Sequence, residues 1–223
     1  MKVFNTSEVY KMKKIVLIGD SIRKGYDSYT KMAFEDVAEV YYPEDNCRFA
    51  AYTLRHLCDW KDQFGCGDDV DCVHWNAGLW DCLIMAVDGE HLTPIELYKY
   101  YLERVCNAIK KLFPYAKVIF ATSTPVQEEL FWRNKRYNKD IEAYNNAAIE
   151  IAKKHGFEIN DLYALTKDAP KSYHSDLTHY YTKEGTKLIT NQVVKCIENC
   201  LNIKAKELDY DKLFADTDDV VGI

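Results

Sequence analysis

Short apolar runs alternate with longer amphipathic stretches along most of the chain. The runs at 14–18, 38–42, 71–75, 117–121 and 157–160 are bounded by turn-forming residues and predict five strands. Lys14-Ile15-Val16-Leu17-Ile18 and Lys117-Val118-Ile119-Phe120-Ala121 are almost unbroken apolar stretches. That pattern suits strands of a parallel sheet covered on both faces. Between the runs, apolar positions recur at helical spacing. Phe49, Tyr52, Thr53, Leu57 and Trp60 form one stripe. Tyr98, Tyr101, Leu102, Val105, Ile109 and Leu112 form a second, opened by Thr93-Pro94 and stopped before Pro114. Ile141, Tyr144, Ala148, Ile151 and Ala152 form a third, ended by Gly156. Leu188, Ile189, Val193, Ile197 and Leu201 form a fourth, which begins near Thr182 with Glu184 in its first turn. Strand and helix in alternation predict a three-layer α/β/α sandwich with a mostly parallel five-stranded sheet, flavodoxin-like in outline.

In such a sheet, ligands bind outside the carboxyl ends of the strands. Ser21 follows the first run, Asn76 ends the third, and Thr122-Ser123-Thr124-Pro125 ends the fourth. Asp176 and His179 stand in the loop ahead of the last helix. The topology therefore directs all of them to one edge.

Composition narrows the picture further. The 223 residues fit one domain, read here as 1–203, followed by a C-terminal extension at 204–223. Leu208, Tyr210, Leu213 and Phe214 alternate with acids in that extension, which is expected to dock on the domain. A formal net charge of -6 argues against a nucleic-acid surface. The chain has no apolar run long enough to span a membrane. The first eight residues lack the apolar core of a signal peptide, so a cytoplasmic location is expected. Eight cysteines form neither a C-x-x-C pair nor a zinc-finger spacing with histidine. In a reducing compartment they read as small apolar residues, and no metal or cofactor is expected.

Gly19-Asp20-Ser21 alone is what any strand-to-helix turn requires. Gly19 and Gly25 suggest a phosphate loop, but the G-K-[ST] ending is absent. Asp176-Leu177-Thr178-His179 is more telling beside it. A serine hydroxyl needs a neutral imidazole to take its proton, and a carboxylate on the other ring nitrogen fixes the tautomer. Three residues of separation suffice to bring Asp176 to the ring of His179. His174 is a second imidazole close to Asp176 and a rival for the base. Asn76 either makes an Asx turn or points its amide into the site.

Together these pieces resemble the GDSL-type esterases and lipases, the SGNH hydrolase superfamily. The resemblance runs from about Lys14 to Leu201 in the expected order. Ile18-Gly19-Asp20-Ser21 matches the first block, Asn76 represents the third, and Asp176-x-x-His179 followed by Tyr181-Thr182-x-Glu184-Gly185 matches the last. Asn160-Asp161-Leu162-Tyr163 is similar to the family as well. The resemblance implies Ser21 as nucleophile, His179 as base and Asp176 as its orienting acid. The N–H of Ser21, the side chain of Asn76 and a second backbone N–H would hold the oxyanion. The family's second block supplies that last donor from a glycine, and this chain has none between Pro43 and Phe49. Cys47 is the expected replacement, with Arg48 or Ala50 as alternatives. The third block reads His74-Trp75-Asn76-Ala77 where the family has G-x-N-D.

Asp20, Arg48 and Trp80 are expected to touch substrate. Trp75, Trp132 and Tyr180 are further candidates for an aromatic pocket, and Arg23 with Arg48 for attraction of an anion. The resemblance implies a serine esterase working through an acyl-enzyme, with removal of a small acyl group from a carbohydrate as the preferred reaction. The expected partner is a small-molecule or oligosaccharide ester. The alternatives are a thioesterase or lysophospholipase with the same triad, or a non-catalytic flavodoxin-like binding module.

Overall fold

The computed structural model describes residues 11–215. The expectations for residues 1–8 and for the last positions of the extension, 216–223, lie outside the described residues. Five strands form one all-parallel sheet in the order β2-β1-β3-β4-β5. They are β1 (Lys13–Ile18), β2 (Ala38–Tyr41), β3 (Cys72–Trp75), β4 (Lys117–Ala121) and β5 (Glu158–Asn160). Each falls within a residue or two of its predicted run. The four apolar residues of β1, Ile15 to Ile18, are completely buried, as are Val73, Trp75, Ile119 and Phe120. Burying side chains of this size contributes about 1.5–3 kcal/mol each. That explains why both nearly unbroken runs lie in central strands, β1 and β4.

The four amphipathic stripes become α3 (Ala50–Phe64), α4 (Ile95–Leu112), α5 (Asn138–Lys154) and α7 (Lys183–Leu201), numbered with the shorter helices between them. Those are α1 (Ser21–Lys24), α2 (Asp27–Phe34), α6 (Leu162–Thr166) and α8 (Tyr210–Leu213). Helix α2 carries no apolar stripe that the sequence reveals, because polar Asp27 and Thr30 share its buried side with Ala33 and Phe34. Helices α3, α4 and α5 pack in succession, and α2 packs on α7, giving helical layers on both sides of the sheet.

The chain leaves β1 for β2 on one side and returns to β3 on the other, so strand order reverses between β1 and β3. A crevice at this reversal is where such sheets bind ligands. Ile18 pairs with Trp75 in register, and Asn76 N–H donates to the Ile18 carbonyl at 3.0 Å. Gly19 and Asn76 therefore leave the sheet side by side.

Two long excursions rise from this edge: residues 77–94 after β3 and 122–137 after β4. They are tied together by Ile84 N–H donating to Lys135 carbonyl at 2.8 Å and Ala86 N–H to Asn134 Oδ1 at 3.0 Å. The segment after α7 crosses back over α2, with Lys206 N–H donating to Ala33 carbonyl at 2.9 Å. No helix among the described residues is long and apolar enough to cross a membrane.

Candidate active site

The turn after β1 is built around Asp20, which is fully buried. Its Oδ1 accepts the N–H of Ile22 at 2.9 Å, capping α1, and the side-chain amide of Asn76 at 3.0 Å. Burial raises the Asp20 carboxyl above its ordinary range, against the hydrogen bonds from Asn76 and Ile22. The amide of Asn76 lies so close over Gly19 that a Cβ there would stand 1.9 Å from Asn76 Oδ1. Glycine is thus required at 19 by contact. Ser21 follows as the first residue of α1, half-buried. No acceptor takes its backbone N–H among the described residues.

The loop before α7 brings Asp176 to His179. Asp176 Oδ2 lies 2.7 Å from Nδ1 of the ring, while Oδ1 accepts the N–H groups of Thr178 at 2.6 Å and His179 at 2.8 Å. Burial works against the charge on Asp176, but these hydrogen bonds outweigh it and hold the carboxyl down to about 2. The acid is therefore ionised near neutral pH, and as an acceptor it holds a proton on Nδ1 of the ring. Nε2 is buried with no hydrogen-bond partner.

The loop itself is braced from three sides. Ser175 N–H donates to His179 carbonyl at 2.8 Å, Gln127 N–H to Leu177 carbonyl at 2.9 Å, and Thr182 Oγ1 to Tyr173 carbonyl at 2.8 Å. Thr182 Oγ1 also caps α7 by accepting Gly185 N–H.

Tyr181 connects the two halves. Its ring stacks on the imidazole of His179 with centroids 4.6 Å apart, and its hydroxyl donates to the carbonyl of Ser21. Gly25 makes room for that ring, since a Cβ there would come within 2.6 Å of it. Through Tyr181, the serine turn and the histidine loop share one block of contacts. No hydrogen bond joins Ser21 Oγ to His179 Nε2 in this structure. Such bonds are often long without substrate and tighten in the reacting complex.

Each amide considered for the second backbone donor has an acceptor in this structure. The N–H of Cys47 donates to the Gly19 carbonyl at 3.1 Å, that of Arg48 to Asn46 Oδ1 at 2.9 Å, and that of Ala50 to Asp81 Oδ2 at 3.1 Å. All three amides are engaged. Arg48 sits with φ of 49°, its guanidinium exposed over the ring of Tyr52, 4.7 Å from the centroid.

Asp20, expected to touch substrate, is fully buried, with Oδ1 engaged by Ile22 and Asn76. Arg23 is buried and structural: it pairs with Asp27 and donates to the Asp45 carbonyl at 2.6 Å. Trp75 packs edge-on against Phe120 in the core, and Tyr180 is buried against His174. His174 makes no bond to Asp176, and burial lowers its basicity. Trp80 is half-buried and Trp132 is 82% exposed on the rim.

Two residues escaped the sequence reading. His74 is fully buried, accepting from Asn160 Nδ2 at 3.1 Å while its Nδ1 faces Tyr26 hydroxyl at 3.3 Å. Burial drops its pKa to about 3, so it stays neutral. Asp81 takes the place of a side-chain cap for α3, whose N-cap residue Phe49 supplies none. The acid reaches α3 from 31 residues further along the chain. Among the described residues no cluster of His, Cys, Asp or Glu is arranged to hold a metal ion.

No family model and no curated protein sequence matches the chain. Solved structures do. An acetyl xylan esterase, AlAXEase, is similar over 82% of this chain and 99% of its own, with a TM-score of 0.65 and 17% identity. A lipase/acylhydrolase from Enterococcus faecalis is similar over 88% and 100%, with a TM-score of 0.64 and 20% identity. A GDSL-like lipase from Bacteroides thetaiotaomicron covers 85% and 89%, with a TM-score of 0.62 and 17% identity. The chain has the fold of the GDSL-type, or SGNH, hydrolases.

Proposed function

We propose that the protein is a serine hydrolase of carboxylic esters. The observation that carries this reading is the Asp176–His179 pair, with an unpartnered Nε2, stacked on the tyrosine that holds the Ser21 carbonyl. Ser21 Oγ attacks the ester carbonyl as Nε2 of His179 takes its proton. Asp176 keeps the proton on Nδ1 and stabilises the imidazolium. The free N–H of Ser21 and the second amide hydrogen of Asn76 receive the oxyanion. His179 then protonates the leaving alcohol, and water repeats the sequence on the acyl-enzyme.

A small acyl group on a carbohydrate is the preferred substrate. The half-buried Trp80 and exposed Trp132 on the two excursions suit a sugar ring, and one similar structure is an acetyl xylan esterase.

The test is labelling with a fluorophosphonate probe followed by Ser21→Ala. Labelling on Ser21, and loss of nearly all turnover in a variant that melts like the parent, is expected. Labelling elsewhere, or unchanged turnover, removes Ser21 from the chemistry. Chain-length profiling separates the rival thioesterase or lysophospholipase readings, since a deacetylase prefers acetyl to octanoyl esters steeply.

A further inference from the structure

The rim segment Trp132-Arg133-Asn134-Lys135-Arg136 carries three cations in a chain whose formal net charge is -6. None of the three makes an ion pair among the described residues, whereas lysines and arginines elsewhere commonly do. Acids lie on neighbouring elements, Asp140 of α5 among them, and three of the others are engaged elsewhere. Glu128 accepts the N–H of Asn138, Glu129 pairs with Lys171, and Asp88 accepts the N–H of Glu90.

Arg136 is the innermost of the three. It is half-buried, and its Nε donates to the Leu79 carbonyl at 2.7 Å, which is three residues past Asn76. Phe131 supports the guanidinium, with Cζ 5.8 Å from the ring centroid. Its terminal nitrogens have no acceptor among the described residues, and they are not sealed from solvent. Arg136 also lies within electrostatic reach of Asp20, the residue before the serine. A guanidinium fixed at one nitrogen with its fork left open matches a carboxylate bidentately. Partial desolvation strengthens such a pair, and an unpaired cationic rim attracts anions from a distance.

We propose that Arg136 is the specificity-determining residue for an anionic ester, binding a carboxylate that the substrate carries beside its scissile bond. The inference rests on the reading of this site as an ester hydrolase, and it narrows the substrate class. The carboxylate belongs either to the alcohol part, as in an acylated uronic acid, or to the acyl part, as in a hemi-ester of a dicarboxylic acid.

Two matched pairs separate these sources. The first is meta-acetoxybenzoate against its methyl ester, and the second is para-nitrophenyl hemisuccinate against para-nitrophenyl butyrate. For one pair the parent protein is expected to favour the anionic member by about 10–100-fold in kcat/KM, mostly through KM. Arg136→Gln collapses that ratio toward one, and Arg136→Lys retains part of it. Equal use of both members in both pairs by the parent overturns the proposal, as does an undiminished ratio in Arg136→Gln. Because the ratio compares two substrates on one variant, a general loss of activity leaves it readable. If none of the four esters is hydrolysed, the esterase reading has failed instead. Calorimetric binding of meta-acetoxybenzoate against its methyl ester then decides the inference: tighter binding of the acid that disappears in Arg136→Gln supports it, and equal binding sinks it.

Discussion

Tyr181 has a role that its place in the sequence does not announce. Its ring orients His179 by stacking, and its hydroxyl fixes the carbonyl of Ser21. Tyr181→Phe keeps the stack and removes one hydrogen bond, worth about 0.5–1.5 kcal/mol net. Turnover is expected to fall roughly threefold to tenfold with KM little changed and the melting temperature nearly preserved. An unchanged kcat would show that the serine turn holds itself in place.

Asp81 makes a different prediction. Burial pushes its carboxyl up to about 7, while the unfolded chain releases that proton near pH 4. Across that interval the native state binds more protons than the unfolded one, so this group's contribution to stability falls as pH rises, then levels off above about 7. Asp81→Asn keeps an oxygen for the Ala50 N–H and abolishes the titration. The variant's stability relative to the parent should rise by roughly 2–4 kcal/mol between pH 4 and pH 8, with part of the gain already present at pH 5. Thermal melts that run parallel at every pH would refute this.

At the scale of elements, α7 both covers the sheet and anchors the loop that carries Asp176 and His179. Gly185 sits at the junction, where an added Cβ would meet the Tyr173 carbonyl oxygen at 2.4 Å and the Tyr180 carbonyl oxygen at 2.7 Å. Alanine is the better helix former by about 1 kcal/mol, yet backbone atoms on both sides leave the methyl no room. Gly185→Ala should destabilise the protein by roughly 1–3 kcal/mol and depress turnover more than Tyr181→Phe does, because the loop moves as a unit. A variant as stable and active as the parent would mean the loop relaxes freely.

The elements also show what a sequence discloses. Strands β1 and β4 were legible because both faces are buried from Ile15 to Ile18 and from Val118 to Ala121, and every one of those positions is apolar. Helix α2 was not, since Asp27 is buried there by pairing with Arg23, an arrangement with no apolar signature. The Asp176–His179 contact was legible because it is local. The Asn76–Asp20 and Arg136–Leu79 contacts span 56 and 57 residues and appear only when the chain is folded. The engaged N–H of Cys47 was hidden for a related reason, because a backbone donor leaves no mark on the residue type that carries it.

On the scale of the whole molecule, the proposed reacting groups are gathered at the carboxyl edge of the sheet, whereas the segment after α7 attaches along α2 and α7. Tyr210 is buried there, its hydroxyl donating to Asn191 Oδ1 at 3.1 Å and its ring 6.3 Å from that of Tyr29. Phe214 stacks on the same Tyr29 at 5.8 Å. These contacts bury large side chains without touching Ser21, Asn76, Asp176 or His179. If the segment serves stability alone, removing its central ring must separate the two properties. Tyr210→Ala should cost about 2–4 kcal/mol, and kcat/KM measured well below the melting transition should stay within about twofold of the parent. The opposite result, a stable protein with impaired turnover, would mean that α2 passes the disturbance to the serine turn. Only residues 22–26 separate Ser21 from α2 along the chain, and Gly25 among them is where the ring of Tyr181 rests. The same substitution therefore tests whether the sheet edge is rigid enough to hold its reacting groups without help from the segment docked along α2 and α7.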